Sequence, residues 1–298
     1  MARSDNLTGA LLMVGAMAGF TLNDTAMKAM AEQVPLYQLL FLRGVLTTLA
    51  VGVMAWRMKA LMPRLPGSDW WLIGLRVAAE TGAAYFFLTA LFNMPIANVT
   101  AILQALPLTV TLAAALVFRE HVGWRRMLAI LAGFAGVMLI VRPGASDFNA
   151  FSIYALIAVL CVTLRDLATR RLSPAAPSIF VTLVTSVAIM AVFGAASLAA
   201  PWAPMGPREM GLTGVAALCI TVGYLCSIMV MRVGEISFVA PFRYTGLLWA
   251  LLLGWLVFGE WPVWQTLLGA AIVTGSGVFT LYREARSVRR RPRVPPPR

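Results

Sequence analysis

The stretch Asn23–Pro35 reads "NDTAMKAMAEQVP", and 142 residues later Arg165–Pro177 reads "RDLATRRLSPAAP". Aligned without a gap, Asp24 falls on Asp166, Ala26 on Ala168, Lys28 on Arg170 and Pro35 on Pro177. Each stretch closes a long apolar run. A second match lies later in each copy. "VFREHVGW" (Val117–Trp124) and "VFGEWPVW" (Val257–Trp264) share Glu120/Glu260 and Trp124/Trp264 at an offset of 140 residues, and Gly136-Val137 answers Gly277-Val278 downstream. The chain therefore repeats one unit, over residues 10–141 and again over 150–282.

Composition sets the medium of this unit. Of 298 residues, 60% are apolar and 12% charged, where a soluble chain carries roughly 25% charged residues. A membrane span needs about 20 mostly apolar residues. Ten segments qualify: 7–29, 36–56, 70–92, 96–118, 122–141, 150–169, 178–199, 210–231, 237–258 and 262–282. The gaps are too short for a soluble domain. The first segment follows Arg3 like a signal peptide, but it is longer than a cleaved apolar region and its ending recurs at Asp166; it reads as a retained span. The expected fold class is all-α integral membrane.

Five spans per copy is an odd number, so the second copy enters the membrane from the opposite face. Such inverted repeats serve alternating access, in which two related halves open in turn to either side of a midplane site. Orientation follows from the Lys and Arg residues in the gaps. With the N-terminus in the cytoplasm, 17 of the 24 fall on that side, among them Arg57, Lys59, Arg64, Arg119, Arg170, Arg171, Arg232 and seven tail arginines; Lys28, Arg142 and Arg208 fall outside. The net charge of +12 thus sets topology rather than binding nucleic acid. Residues 285–298 read as a disordered basic cytoplasmic tail. Seven tryptophans, including Trp56, Trp70 and Trp264, stand at span ends, where indoles meet headgroups. Cys161, Cys219 and Cys226 lie within apolar runs and His121 is the one histidine, so no disulfide framework, metal site or cofactor is expected.

Ionisable groups inside spans cost roughly 2.5–3.5 kcal/mol on insertion scales, so each needs a partner, water or a task. Arg76 and Glu80 stand one helical turn apart in the third span. They form either a structural ion pair or a place where Glu80 takes up a proton or a substrate amine. Asp24 and Arg43 lie at similar depth near one face, and Asp166 and Arg243 near the other. Two pairs are expected, Asp24–Arg43 and Asp166–Arg243, each a gate latch or a packing salt bridge. Tyr85, Asn98, Gln104, Tyr224, Tyr244 and Trp249, on spans three, four, eight and nine, are candidates for a cavity wall suited to a small amphipathic solute. Pro107 and Pro241 each remove a helical hydrogen bond and are hinge candidates. The GxxxG spacing of Gly15 and Gly19 reads as close packing within the monomer.

The tandem five-span halves, "FLRG" at Phe41–Gly44, the proline-bearing "ALPLTVTLAAALVFRE", the glycine-rich span after each Glu and "APFRYTGLLWALLLGWLVFGE" together resemble the drug/metabolite transporter superfamily, EamA type. The resemblance covers nearly the whole chain. It implies two five-helix repeats, over 1–144 and 145–284, forming a ten-helix basket around a central cavity. It also implies a secondary transporter of a bacterial-type inner membrane rather than an enzyme, working as a monomer on a small-molecule substrate. Its amino-acid exporter branch makes export of amino acids or related metabolites the expectation, with protons as the candidate coupling ion. Uptake of a cofactor-like or nucleotide-like metabolite is the alternative, and an intramembrane enzyme or assembly factor a second.

Overall fold

The computed structural model describes residues 2–61, 63, 65–119, 123–143, 149–199, 201–230 and 239–289. Glu120, His121, Arg64 and Arg232, singled out above, lie outside the described residues, as does the tail from 290 onward. The first half supplies α1 (Ala2–Lys28), α2 (Leu36–Arg57), α3 (Gly67–Asn93), α4 (Ile96–Leu103), α5 (Leu106–Phe118) and α6 (Trp124–Val141). The second supplies α7 (Phe151–Arg171), α8 (Ser178–Ser197), α9 (Pro207–Val230), a 3-10 turn (Ala240–Tyr244), α10 (Thr245–Phe258) and α11 (Trp264–Arg289). Nine described segments are long and apolar enough to cross a membrane, and Met127–Val141 is a shorter apolar helix. The fold is all-helical among the described residues.

Prolines place the helix starts. Pro35, Pro66, Pro95 and Pro177 stand at the N-caps of α2, α3, α4 and α8, and Pro207 opens α9. Proline lacks an N–H, and the first turn of a helix has no intrahelical use for one. Gly259, at φ +64°, closes α10 from the left-handed region, where glycine carries no Cβ penalty. The helix α11 runs on to Arg289, past the boundary expected for the tail, because "YREARSVR" consists largely of helix-compatible residues.

The fourth span of each half is broken. Leu103 ends α4, Gln104 and Ala105 form a turn, and Pro107 sits in the first turn of α5. In the second half Pro241 opens the 3-10 turn, which hands over to α10 at Tyr244–Thr245. Gln104 and Tyr244 stand 140 residues apart, the offset of Glu120 and Glu260, so the breaks coincide although the prolines do not.

Packing follows a two-fold pattern. α1 lies along α9 and α3 along α7, while α2 lies along α8 and α6 along α11. Each first-half helix thus meets the second-half helix that the symmetry demands: first with third, second with second, last with last. Small residues permit the crossings. A Cβ on Gly136 would stand 2.8 Å from the Gly269 carbonyl across α6 and α11, and one on Gly19 would stand 2.8 Å from the Cys219 carbonyl across α1 and α9. Gly19 therefore seals an intramolecular contact, as its spacing implied. Leu49, Leu116, Leu160, Leu218, Leu248 and Leu256 are exposed on the outer surface, which is the surface expected of helices set in lipid.

Candidate functional site

At one end of the basket, loops from both halves are tied together. Lys28, at the close of α1, bonds Glu260 Oε1 at 2.6 Å and also the Met94 carbonyl. Glu260 Oε2 accepts the Ile96 N–H at 3.0 Å, so one carboxylate serves both a cation and the free N-terminus of α4. The Phe258 ring stands 5.1 Å from the ammonium. Asn149 donates to the Asn93 carbonyl at 2.9 Å, and Gln38 both donates to and accepts from Ala203. At the opposite end, Asp69 accepts from the Ser173 N–H and hydroxyl, joining the start of α3 to the end of α7. Sequence reading used Lys28 and Glu260 as repeat markers, and Lys28 in the charge count, and missed that they meet.

Between the two ends lies a polar cluster built on α1, α2, α3, α7 and α8. Arg165 is its centre. Its Nη1 bonds both oxygens of Glu80, at 3.2 and 3.0 Å, while Nε and Nη2 hold Asp166 Oδ1 at 2.9 and 2.8 Å. This corrects the expected Arg76–Glu80 pair. Arg76 instead bonds the hydroxyls of Thr169, at 2.9 Å, and Thr185. Both hydroxyls donate to carbonyls of their own helices and so turn lone pairs toward the guanidinium. In the sequence Arg165 is marked only as the residue that opens the second matched stretch. The available signal was that the repeat puts Arg165 where the first copy has Asn23.

The two expected latches are also corrected. Asp24 and Arg43 are joined through Asn23, whose Nδ2 donates to Asp24 Oδ1 at 2.9 Å and whose Oδ1 accepts from Arg43 Nη1 at 3.2 Å. Asp166 is held by its neighbour Arg165, and Arg243 sits in the 3-10 turn, making no salt bridge to it. A charge adjacent in sequence reaches Asp166 at lower entropic cost than one from another helix.

A cavity of about 50 Å³ opens on this cluster. Arg43 and Thr47 of α2, Arg76 and Glu80 of α3, Thr185 and Ser186 of α8 and Tyr224 of α9 line it. Spans two, three, seven and eight thus supply its wall, two from each half. Of the expected wall residues, Tyr224 is placed there, with Phe20 edge-on at 5.5 Å. Tyr85 stacks on Tyr37 at 6.2 Å instead. Asn98 lines a second cavity, about 220 Å³, at the Lys28 end beside Met94, Arg142 and Trp261, and its Oδ1 is buried without a hydrogen bond. Gln104 lies at the break opposite Gly246. Tyr244 is buried against Gly277 of α11, and Trp249 sits half-buried on α10; neither lines either cavity.

The model of the EamA-like transporter family matches residues 7–142 and 150–282. A riboflavin transporter of Vibrio cholerae is 30% identical over 224 residues, 72% of this chain and 73% of its own. An S-adenosylmethionine uptake transporter of Rickettsia prowazekii is 21% identical, covering 65% of this chain and 66% of its own. A pseudopaline exporter of Pseudomonas aeruginosa is 23% identical over 89% of this chain and 93% of its own. One solved crystal structure superposes with a TM-score of 0.63 at 20% identity, covering 96% of this chain and 99% of that one; it shares the fold.

Proposed function

The chain belongs to the EamA-like transporter family, and from that premise we propose that it takes up a cofactor-like metabolite by alternating access across a bacterial cytoplasmic membrane. It is a multi-pass membrane protein of a transporter family. The observation that carries the mechanism is the cluster of Arg43, Arg76, Glu80 and Arg165, inside otherwise apolar spans, on a cavity whose wall comes equally from the two halves. Groups so placed line water or solute pathways. A wall shared by inverted halves is one that their relative motion exposes to either side.

The Lys28–Glu260–Ile96 contacts support a conformation closed at that end. The Lys and Arg count supports that end lying outside and both termini in the cytoplasm. In this reading the working unit is a monomer, and Glu80 is the acid that faces the cavity if a proton is coupled. A cofactor-like solute is favoured by the names of the riboflavin and S-adenosylmethionine relatives, and uptake over export by the name of the latter. Amino-acid export, which the resemblance suggested, finds no support among those names. A second reading, export of a metabolite, rests on the pseudopaline exporter that aligns over most of the chain.

The test is flux into proteoliposomes of known orientation, with labelled riboflavin, S-adenosylmethionine and a set of amino acids. Concentrative or exchange uptake of a cofactor-like compound is the expected result. Flux restricted to amino acids would reject the uptake reading, and no flux of any solute would reject transport.

A further inference from the structure

The three arginines around the central cavity differ in how their charge is met. Arg165 is saturated: both of its faces are held by carboxylates, Glu80 on one side and Asp166 on the other. Arg43 and Arg76 make no salt bridge among the described residues. Arg43 spends one N–H on the neutral amide of Asn23. Arg76 spends Nε and one Nη1 hydrogen on two hydroxyls. A guanidinium has five N–H donors, so most of each fork remains unspent, and both line the same cavity. Glu80 is the acid on that wall, and Arg165 draws off its charge. Thr47, one helical turn from Arg43 on the same wall, is more than nine-tenths buried, and its hydroxyl has no hydrogen-bond partner. A bound water or ligand atom would satisfy it.

We propose that Arg43 and Arg76, with the Thr47 hydroxyl on the same cavity wall, form a receptor for one anionic group, carboxylate or phosphate, carried by the transported solute. The inference rests on the transport reading and names the chemistry of the substrate. Planar guanidinium forks bind carboxylate and phosphate oxygens through paired N–H donors, and a hydroxyl adds a third donor. A cavity of about 50 Å³ holds a few waters or such a group, but not a whole metabolite, so the remainder of the solute enters as the halves part. The forks come from α2 and α3 of one half, each of which packs on α8 of the other, where Thr185 stands. An anion seated there would therefore bridge the halves.

The first arm of the test is binding. The full chain in nanodiscs is heated in acetate, in inorganic phosphate and in chloride at matched ionic strength. Acetate or phosphate should stabilise the protein beyond chloride. Apparent affinity should fall about ten-fold in Arg43→Gln and in Arg76→Gln, a few-fold in Thr47→Val, and not at all in Arg208→Gln. If Arg76→Gln does not fold, Arg76→Lys and Thr47→Val decide the matter. Equal shifts in all three salts, or shifts that survive these substitutions, overturn the proposal. The second arm is flux of charge-differing pairs: flavin mononucleotide against riboflavin, and S-adenosylmethionine against its methyl ester. In at least one pair the member that carries the carboxylate or phosphate should move about ten-fold faster, and Arg76→Gln should erase that advantage. Equal flux of both members, with anion binding intact, means that an inorganic counter-ion occupies the site and overturns the assignment to the solute. Arginine-dependent anion binding without flux of any solute would instead count against transport and for the anion receptor.

Discussion

At one position of each half the chain places a polar residue before an aspartate: Asn23–Asp24 in α1 and Arg165–Asp166 in α7. In both, the first side chain donates to the second, at 2.9 Å. Beyond that the two diverge. The neutral Asn23 relays between Asp24 and Arg43, keeping acid and base apart. The charged Arg165 contacts its aspartate directly and has donors left for Glu80 on α3 of the other half. The difference at this one position of the repeat thus turns a link within the first half into a clamp across the two. Backbone symmetry persists because it rests on helix packing and glycine crossings, while the side-chain chemistry on it is free to differ.

The largest expected effect comes from removing the clamp. Arg165→Gln leaves Glu80 and Asp166 without the guanidinium that bonds both, in a site where their side-chain exposure is 15% and 32%. Loss of a partner in a mostly buried pair costs about 3 kcal/mol. Thermal denaturation in detergent should show the deficit, and Glu80→Gln added to it should restore part. No recovery in the double variant would mean that Glu80 is not the clamp's partner. Next is Lys28→Met, which frees Glu260 and opens the Lys28 end at about 2 kcal/mol. Its check is faster reaction of an impermeant thiol reagent with a single cysteine at Asn98, in a background lacking the three native cysteines. Exchanging the charges, Lys28→Glu with Glu260→Lys, should slow that reaction again.

Asn23→Ala removes the relay and should cost about 1.5 kcal/mol, since it unpairs a buried amide link between two ions. If its effect equals that of Arg165→Gln, the contrast between the two halves is wrong. The smallest effect, about 1 kcal/mol, is expected of Glu80→Gln, because the amide still accepts from Arg165 and Asp166 keeps the charge paired. Measured beside protein level over about pH 5.5 to 8, a change in the pH profile of flux without loss of protein gives Glu80 a part in the cycle. An unchanged profile makes it only half of the clamp.

Much of this architecture was legible in the sequence because it depends on composition and spacing. The spans, their prolines, the inverted repeat and the breaks at Pro107 and Pro241 follow from local patterns. The arrangement of charge was less so. The burial of Asp24, Arg43, Glu80 and Asp166 within spans was evident, but their partners were not. Helices that are apolar nearly all round carry little record of which face meets which neighbour, so Arg165 could not be assigned to Glu80, 85 residues away, nor Lys28 to Glu260, 232 residues away. For the same reason depth in a span does not tell which cavity a side chain faces: Asn98 of span four lines the one at the Lys28 end, and Tyr224 of span eight the central one. Asn98, Tyr244 and Trp249 are polar or aromatic at suitable depth, yet the two-fold packing gives the central cavity to spans two, three, seven and eight.

Alternating access is the claim on which the rest depends, and locking the Lys28 end tests it most directly. In a chain otherwise free of cysteine, Lys28→Cys and Glu260→Cys are joined by a short cleavable bis-thiol linker after reconstitution, and flux of a transported solute is followed before linking, after linking and after cleavage. If that end must open in every cycle, linking abolishes flux and cleavage restores it, while either single-cysteine variant treated alike is unaffected. Flux that continues at the unlinked rate in fully linked protein would contradict the account, since solute would then be crossing without the closed end ever opening.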